Sequence, residues 1–195
     1  MSNIDIKTVK VLRDRTGISI MQCKKALEEC DGDIEKAAVL LRKRSGAIAQ
    51  KKSGRELGAG TVTSYIHDNV IGALVHLSCE TDFVGKNEEF IFLAREIAMQ
   101  VAALNPAYRS VEEVPEEVKS TALSVFEKEV EGKPEQMREK ILAGKMESYF
   151  KDQSLLDQVY IKDDKKTIRT LIEESTQKFG ERIEVTAFVR YSARG

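Results

Sequence analysis

The hydrophobic period of the chain changes from helical to alternating and back, and those changes divide it into units. Over residues 1–45 apolar positions recur three and four residues apart, the spacing of one helix face. Ile6, Val9 and Leu12 begin such a stripe, and Thr16-Gly17 ends it. Ser19-Ile20-Met21-Gln22 has the form of a capping box, in which Ser19 and Gln22 reciprocally satisfy free backbone amides. Cys23, Ala26, Leu27 and Cys30 follow on one face. Asp31-Gly32-Asp33 closes that helix and caps the next, with Gly32 suited to the left-handed position. Ile34, Ala37, Ala38 and Leu41 give a third helix its inward face. The pattern predicts a three-helix module over 1–45.

A run of small and basic residues comes next, and 46–58 reads as a linker. Beyond it the period becomes two: 61–67 alternates around Val62 and Ile66, and 70–79 puts Ala73, Val75, Leu77 and Cys79 on one side. His67-Asp68-Asn69 is turn chemistry, which predicts a hairpin. Asn87 then caps a helix with the stripe Phe90, Leu93, Ala94, Ile97, Val101 and Leu104, and Asn105-Pro106 stops it. Ile91, Phe92 and Met99 lie off that stripe, so this helix is expected to be covered on two sides.

Pro115 opens another helix through Val130, Gly132 breaks it, and Pro134 starts one anchored by Met137, Ile141, Met146 and Phe150. Residues 154–161 read as extended and 167–179 as a helix ended by Gly180. Ile183, Val185, Ala187, Val189 and Tyr191 alternate as a last strand. Paired with the hairpin, it makes a three-stranded antiparallel sheet flanked by helices, an α+β core over 59–195. Helices on one side only would leave the other sheet face open to a partner or a second copy.

Composition removes several functions. The 31 Lys+Arg and 32 Asp+Glu nearly cancel, so no global positive field draws the chain to nucleic acid or to a membrane surface. The N-terminus lacks a basic-then-apolar leader, and no apolar run reaches the ~18 residues of a membrane span, which suggests a cytoplasmic protein. Cys23, Cys30 and Cys79 form no C-x-x-C pair, and with two histidines they do not supply a closed zinc site or a disulfide framework. Gly58-Ala59-Gly60 enters a strand instead of opening a helix, so it is no phosphate cradle. His76 and His67 have no visible nucleophile beside them and read as structural and surface residues. No cofactor and no active site of its own are expected.

Three local features stand out. Met21 falls opposite the Cys23/Leu27/Cys30 face, at about 100° per residue. Beside Ile20 it is either a lone surface residue or adaptable contact surface. Phe83, just past a strand and before the Asn87 cap, is either a staple folded under the Phe90 helix or a contact presented outward. Arg42-Lys43-Arg44, with Lys51 and Lys52, reads as a solvated helix end complementing the dipole, with nucleic-acid contact the alternative.

RTGISIMQCKKAL (15–27), GDIEKA (32–37), TDFVGKN (81–87) and IRTLIEE before a terminal strand together resemble the elongation factor Ts family, across essentially the whole chain. The resemblance implies a guanine-nucleotide exchange factor for elongation factor Tu, with a ubiquitin-associated-like N-terminal domain and a three-stranded α+β core. In that family the Asp-Phe of T-D-F-V enters the GTPase near its nucleotide and magnesium, a role that falls on Asp82 and Phe83, flanked by Thr81 and Val84. The N-terminal contact would fall on Arg13, Ile20 and Met21. Gly85 stands where the family usually has Ala, and Gln22 where Asp is common. Short members with one core copy pair sheet to sheet, which implies a homodimer. The competing class is an adaptor with no exchange activity.

Overall fold

The computed structural model describes residues 4–132 and 134–193. The outer limits of the two expected units, residues 1 and 195, lie outside them. Helices α1 (Ile6–Thr16), α2 (Ile20–Glu29) and α3 (Ile34–Lys52) come first. Their ends follow local chemistry. Asp5, Ser19 and Asp33 cap the three starts through side-chain oxygens, and Gly17 ends α1 at φ 69°. Val9, Leu12, Ile18, Cys23, Ala26, Leu27, Ala37, Ala38 and Leu41 bury one another as a separate small core. Ile6, expected on the inward stripe, is exposed.

Two expectations need correction here. Half of the capping box forms: Ser19 Oγ accepts from the Gln22 amide at 3.4 Å, but the Gln22 side chain accepts from Gln177 Nε2 at 2.9 Å instead of reaching back. The segment 46–58 also begins as helix, because α3 continues to Lys52. Arg42–Arg44 are therefore mid-helix. Arg42 donates to the Lys165 carbonyl at 3.1 Å and Arg44 pairs with Glu29, while Lys51 and Lys52 occupy the last turn.

Strands β1 (Ala59–His67) and β2 (Ile71–Cys79) pair antiparallel, with Asp68 and Asn69 left-handed at the turn. One helical turn, α4 (Asp82–Gly85), leads to α5 (Glu88–Leu104). After a short 3₁₀ turn at Val111–Glu113 come α6 (Glu116–Val130), α7 (Glu135–Gln153), β3 (Val159–Tyr160), β4 (Asp163–Thr167), α8 (Ile168–Phe179) and β5 (Glu184–Ser192). β5 pairs antiparallel with β2, giving the order β1-β2-β5. The α+β architecture and its three-stranded sheet are as the sequence predicts. The second, small sheet of β3 and β4 is an addition to it.

The main core lies between the sheet and helices α5 and α8. Ala73, Val75, Leu77, Cys79 and Val185 meet Phe90, Ala94, Ile97, Val101, Ile168 and Ile172. Phe90 meets Phe179 edge to face, centroids 6.0 Å apart. The second cover expected on α5 is polar and partial. The β3–β4 hairpin lies over Glu96 and buried Gln100, whose Oε1 accepts from the Ile161 amide at 3.0 Å. Ile91 and Phe92 stay exposed. The N-terminal module joins the core through α3 against α8. Ser45 Oγ donates to Gln177 Oε1, and Lys52 Nζ donates to the Gly180 carbonyl at 2.7 Å. Among the described residues no helix is long and apolar enough to cross a membrane.

Candidate partner-binding site

The turn after β2 is built by anchoring its ends and releasing its middle. A one-turn helix is too short to hold itself in water, so tertiary contacts must define it. Gly85 is buried: a Cβ on it would sit 3.2 Å from the Gly60 carbonyl oxygen and 3.3 Å from the Gly60 nitrogen. Gly60 is the stricter position, because a Cβ there would lie 2.5 Å from the Leu77 carbonyl. The start of β1 and the end of α4 thus touch backbone to backbone. Val84 turns into the main core beside Cys79 and Phe90. The Cys79 thiol, pushed up in pKa chiefly by burial, stays neutral and donates to the Thr81 carbonyl at 3.3 Å.

With Val84 and Gly85 inside, Phe83 is driven out, and its side chain is 83% exposed. The staple placement is therefore rejected: Val84 fills the space under α5 instead. Asp82 is exposed as well and pairs with Lys86 at 3.0 Å, one turn on. Asn87 Oδ1 accepts from the Glu89 amide at 2.9 Å and starts α5, as its sequence position predicts.

The entrance to the turn carries an arrangement that sequence pattern does not reveal. The Glu181 carboxylate, from the loop between α8 and β5, accepts from the Glu80 and Thr81 amides, both at 3.0 Å. It also accepts from Thr81 Oγ1 at 2.6 Å. In return Glu80 Oε1 accepts from the Arg182 amide at 2.6 Å and from Arg55 Nη1 at 3.2 Å. The Arg182 amide first, then Arg55, hold the Glu80 carboxyl below its ordinary range. About a hundred residues separate these partners in the chain, so no local signal announces the pair.

The second expected patch lies on the N-terminal module. Met21 is 82% exposed and Ile20 is 60% exposed, while Ile18 and Cys23 on either side are buried. Arg13, on α1, is exposed and pairs with the adjacent Asp14 at 3.3 Å. Lys178 stands between the patches. Its Cδ would lie 3.4 Å from a Cβ on Gly17, and its Nζ pairs with Glu89 Oε2 at 2.6 Å.

A third exposed surface is the sheet face away from α5. Val62, Ile66, Leu74, Val189 and Tyr191 stand on it, Val62 at 64% and Tyr191 at 72% exposure. His76 lies among them, its Nδ1 2.9 Å from Thr186 Oγ1.

Fold and site together describe an α+β protein with a helical module, presenting apolar side chains from two anchored turns and one open sheet face. A family model described as Elongation factor TS matches residues 48–194. Elongation factor Ts of Thermodesulfovibrio yellowstonii is 49% identical over 189 residues, covering 96% of this chain and 95% of the relative. The proteins of the same name from Thermosipho melanesiensis (47% over 192 residues, 97% and 98% covered) and Thermotoga neapolitana (45% over 189 residues, 96% of each) agree. The chain belongs to the elongation factor Ts family.

Proposed function

We propose that this chain is a cytoplasmic guanine-nucleotide exchange factor for elongation factor Tu in translation elongation, with no covalent chemistry of its own. Family membership supports the reaction. The observation that carries the mechanism is Phe83, a large ring held 83% exposed on a turn whose next two residues, Val84 and Gly85, are buried. Asp82 and Phe83 enter the GTPase near its nucleotide and magnesium ion, Thr81 and Val84 hold them, and Arg13, Ile20 and Met21 make a second contact. Because Val84 is buried, its part in binding is to brace Phe83 from below.

An exchange factor works by binding the nucleotide-poor GTPase better than the nucleotide-bound one, and that antagonism is reciprocal. Speeding release about a thousandfold takes about 4 kcal/mol. Burying one Phe is worth roughly 1.5–3 kcal/mol. Phe83 therefore needs the N-terminal module as a second hold, which favours a clamp over a single plunger. Fluorescent GDP released from elongation factor Tu tests this. Phe83→Ala should keep GTPase binding and lose most of the acceleration. Release as fast as with the unaltered chain would reject the wedge, and a chain that never speeds release would favour the adaptor class.

The open sheet face supports a homodimer, since Val62, Ile66, Leu74, Val189 and Tyr191 give it an apolar surface that a second copy would cover. Mass measurement at micromolar concentration tests that, and a monomer would sink it.

A further inference from the structure

The end of α8 and the loop after it touch both candidate patches. Gln177 bonds to Ser45 and Gln22 of the N-terminal module, and the Gly180 carbonyl accepts from Lys52. Lys178 lies against Gly17 and pairs with Glu89 at the start of α5. Glu181 and Arg182 hold the entrance of the turn that carries Phe83. One short segment, residues 177–182, is therefore joined to the two surfaces that would grip the GTPase.

Thr81 departs from its ordinary use. A Thr before a helix normally turns its hydroxyl back to cap a free amide of the first turn. Thr81 makes no such cap. Its hydroxyl donates to Glu181 Oε1, and its amide and that of Glu80 donate to Glu181 Oε2. A local rule broken with no local gain points to a site where position matters more than helix stability. Bonds to a charged acceptor are about twice as strong as neutral ones. Three of them on consecutive residues fix the direction in which the turn leaves β2, and with it the direction of the Phe83 side chain.

We propose that Glu181 is a positioning residue for nucleotide exchange, tethering the Glu80–Thr81 backbone so that Phe83 meets the GTPase at a set angle, in register with the Met21 patch. The proposal rests on the exchange reading above. Glu181 touches neither nucleotide nor partner and acts through Phe83. A pinned turn carries force from the partner into the core, whereas a loose one swings aside and leaves the nucleotide site undisturbed.

The test is stimulated release of fluorescent GDP from elongation factor Tu, measured across factor concentrations with the full chain. The forms compared are unaltered, Glu181→Ala, Glu181→Gln, Phe83→Ala and the double variant Glu181→Ala/Phe83→Ala. Glu181→Ala should lower the maximal rate about tenfold and shift the half-saturating concentration less than about threefold. Glu181→Gln should keep most of the rate, since its amide oxygen still accepts from both backbone amides and its NH₂ can donate to the Thr81 hydroxyl. The double variant should be no slower than Phe83→Ala alone, the non-additivity expected when one residue acts through another.

A maximal rate in Glu181→Ala equal to that of the unaltered chain overturns the proposal, as does a double variant that loses the product of the two single losses. An unaltered chain that fails to speed release overturns the exchange reading itself, a distinct outcome. If Glu181→Ala does not fold, Glu181→Asp withdraws the carboxylate by about 1.5 Å and is expected to lower the maximal rate in the same direction.

Discussion

Phe83 and Met21 are almost equally exposed, at 83% and 82%, and both sit in the first turn of a helix. Their supports differ. Beneath Phe83 the backbone is pinned by long-range contacts: Glu181 on Thr81, Gly60 against Gly85, and Val84 in the core. Beneath Met21 the backbone support is local, a Ser19 cap and the buried neighbours Ile18 and Cys23 of the small N-terminal core, and the long-range bond from Gln177 reaches only the side chain of Gln22. The side chains match their supports. A Phe ring has few torsions and keeps the direction its backbone sets, while an unbranched Met adapts to what it meets. Equal exposure can therefore mean either a rigid wedge or an adjustable grip, and the anchoring decides which.

The comparison can be broken most severely at Gly60. Gly60→Ala forces a Cβ to 2.5 Å from the Leu77 carbonyl, so β1 must move away from β2 and from the α4 turn. The expected cost is about 2–4 kcal/mol, read by thermal or denaturant unfolding, with stimulated GDP release falling in parallel. Stability equal to that of the unaltered chain would mean that the close backbone approach does not hold the turn. On the adjustable side, Met21→Ala removes a flexible contact without disturbing any core. It should raise the half-saturating concentration in the release assay about three- to tenfold, which is roughly 0.7–1.4 kcal/mol, and leave the maximal rate nearly unchanged. A fall in maximal rate instead would make Met21 part of the wedge.

Acid offers a gentler probe of the pinned side. The Glu80 carboxyl is held below its ordinary range by the Arg182 amide first and by Arg55. A carboxyl depressed in the folded state contributes stability above its unfolded value, about 4.3, and loses it as pH falls through the lower folded value. The melting-temperature advantage of the unaltered chain over Glu80→Gln should be full at neutral pH and vanish below that value. An advantage that persists in acid would assign it to packing.

The smallest effect is expected at Gly85. Replacing a helical Gly with Ala gains up to about 1 kcal/mol of helix propensity. Here the new Cβ would meet the Gly60 backbone at 3.2–3.3 Å, tight enough to offset that gain. Gly85→Ala should leave stability within about 1 kcal/mol of the original and the release rate within about twofold. A larger loss would show the turn to be packed without slack.

Much of this protein is written in local pattern. Asn87, Asp33 and Gly17 mark helix ends through their own side-chain oxygens or a left-handed backbone, so each end is legible within a few residues. The alternation of Ala73, Val75, Leu77 and Cys79 faces them inward, and the final strand pairs with theirs. The outward direction of Met21 follows from helix geometry alone. The fate of Phe83 did not follow: local pattern admits both a staple and an outward ring and leans to the staple, and Val84 settled the choice the other way by filling the space below. Gln22 looked like a capping partner for Ser19, yet Gln177 took it, because α8 brings a competing amide within 2.9 Å.

Periodicity, caps and turn residues act over a handful of positions, so the amino-acid order by itself determined the main helices, the three-stranded sheet, the buried faces of α2, α5 and β2, and the family. The extension of α3 into the expected linker, the Glu181–Thr81 tether and the glycine contact between β1 and α4 were decided only in the folded chain. Each depends on groups brought together from distant parts of the chain, and which of several chemically suitable partners a side chain meets is a matter of packing.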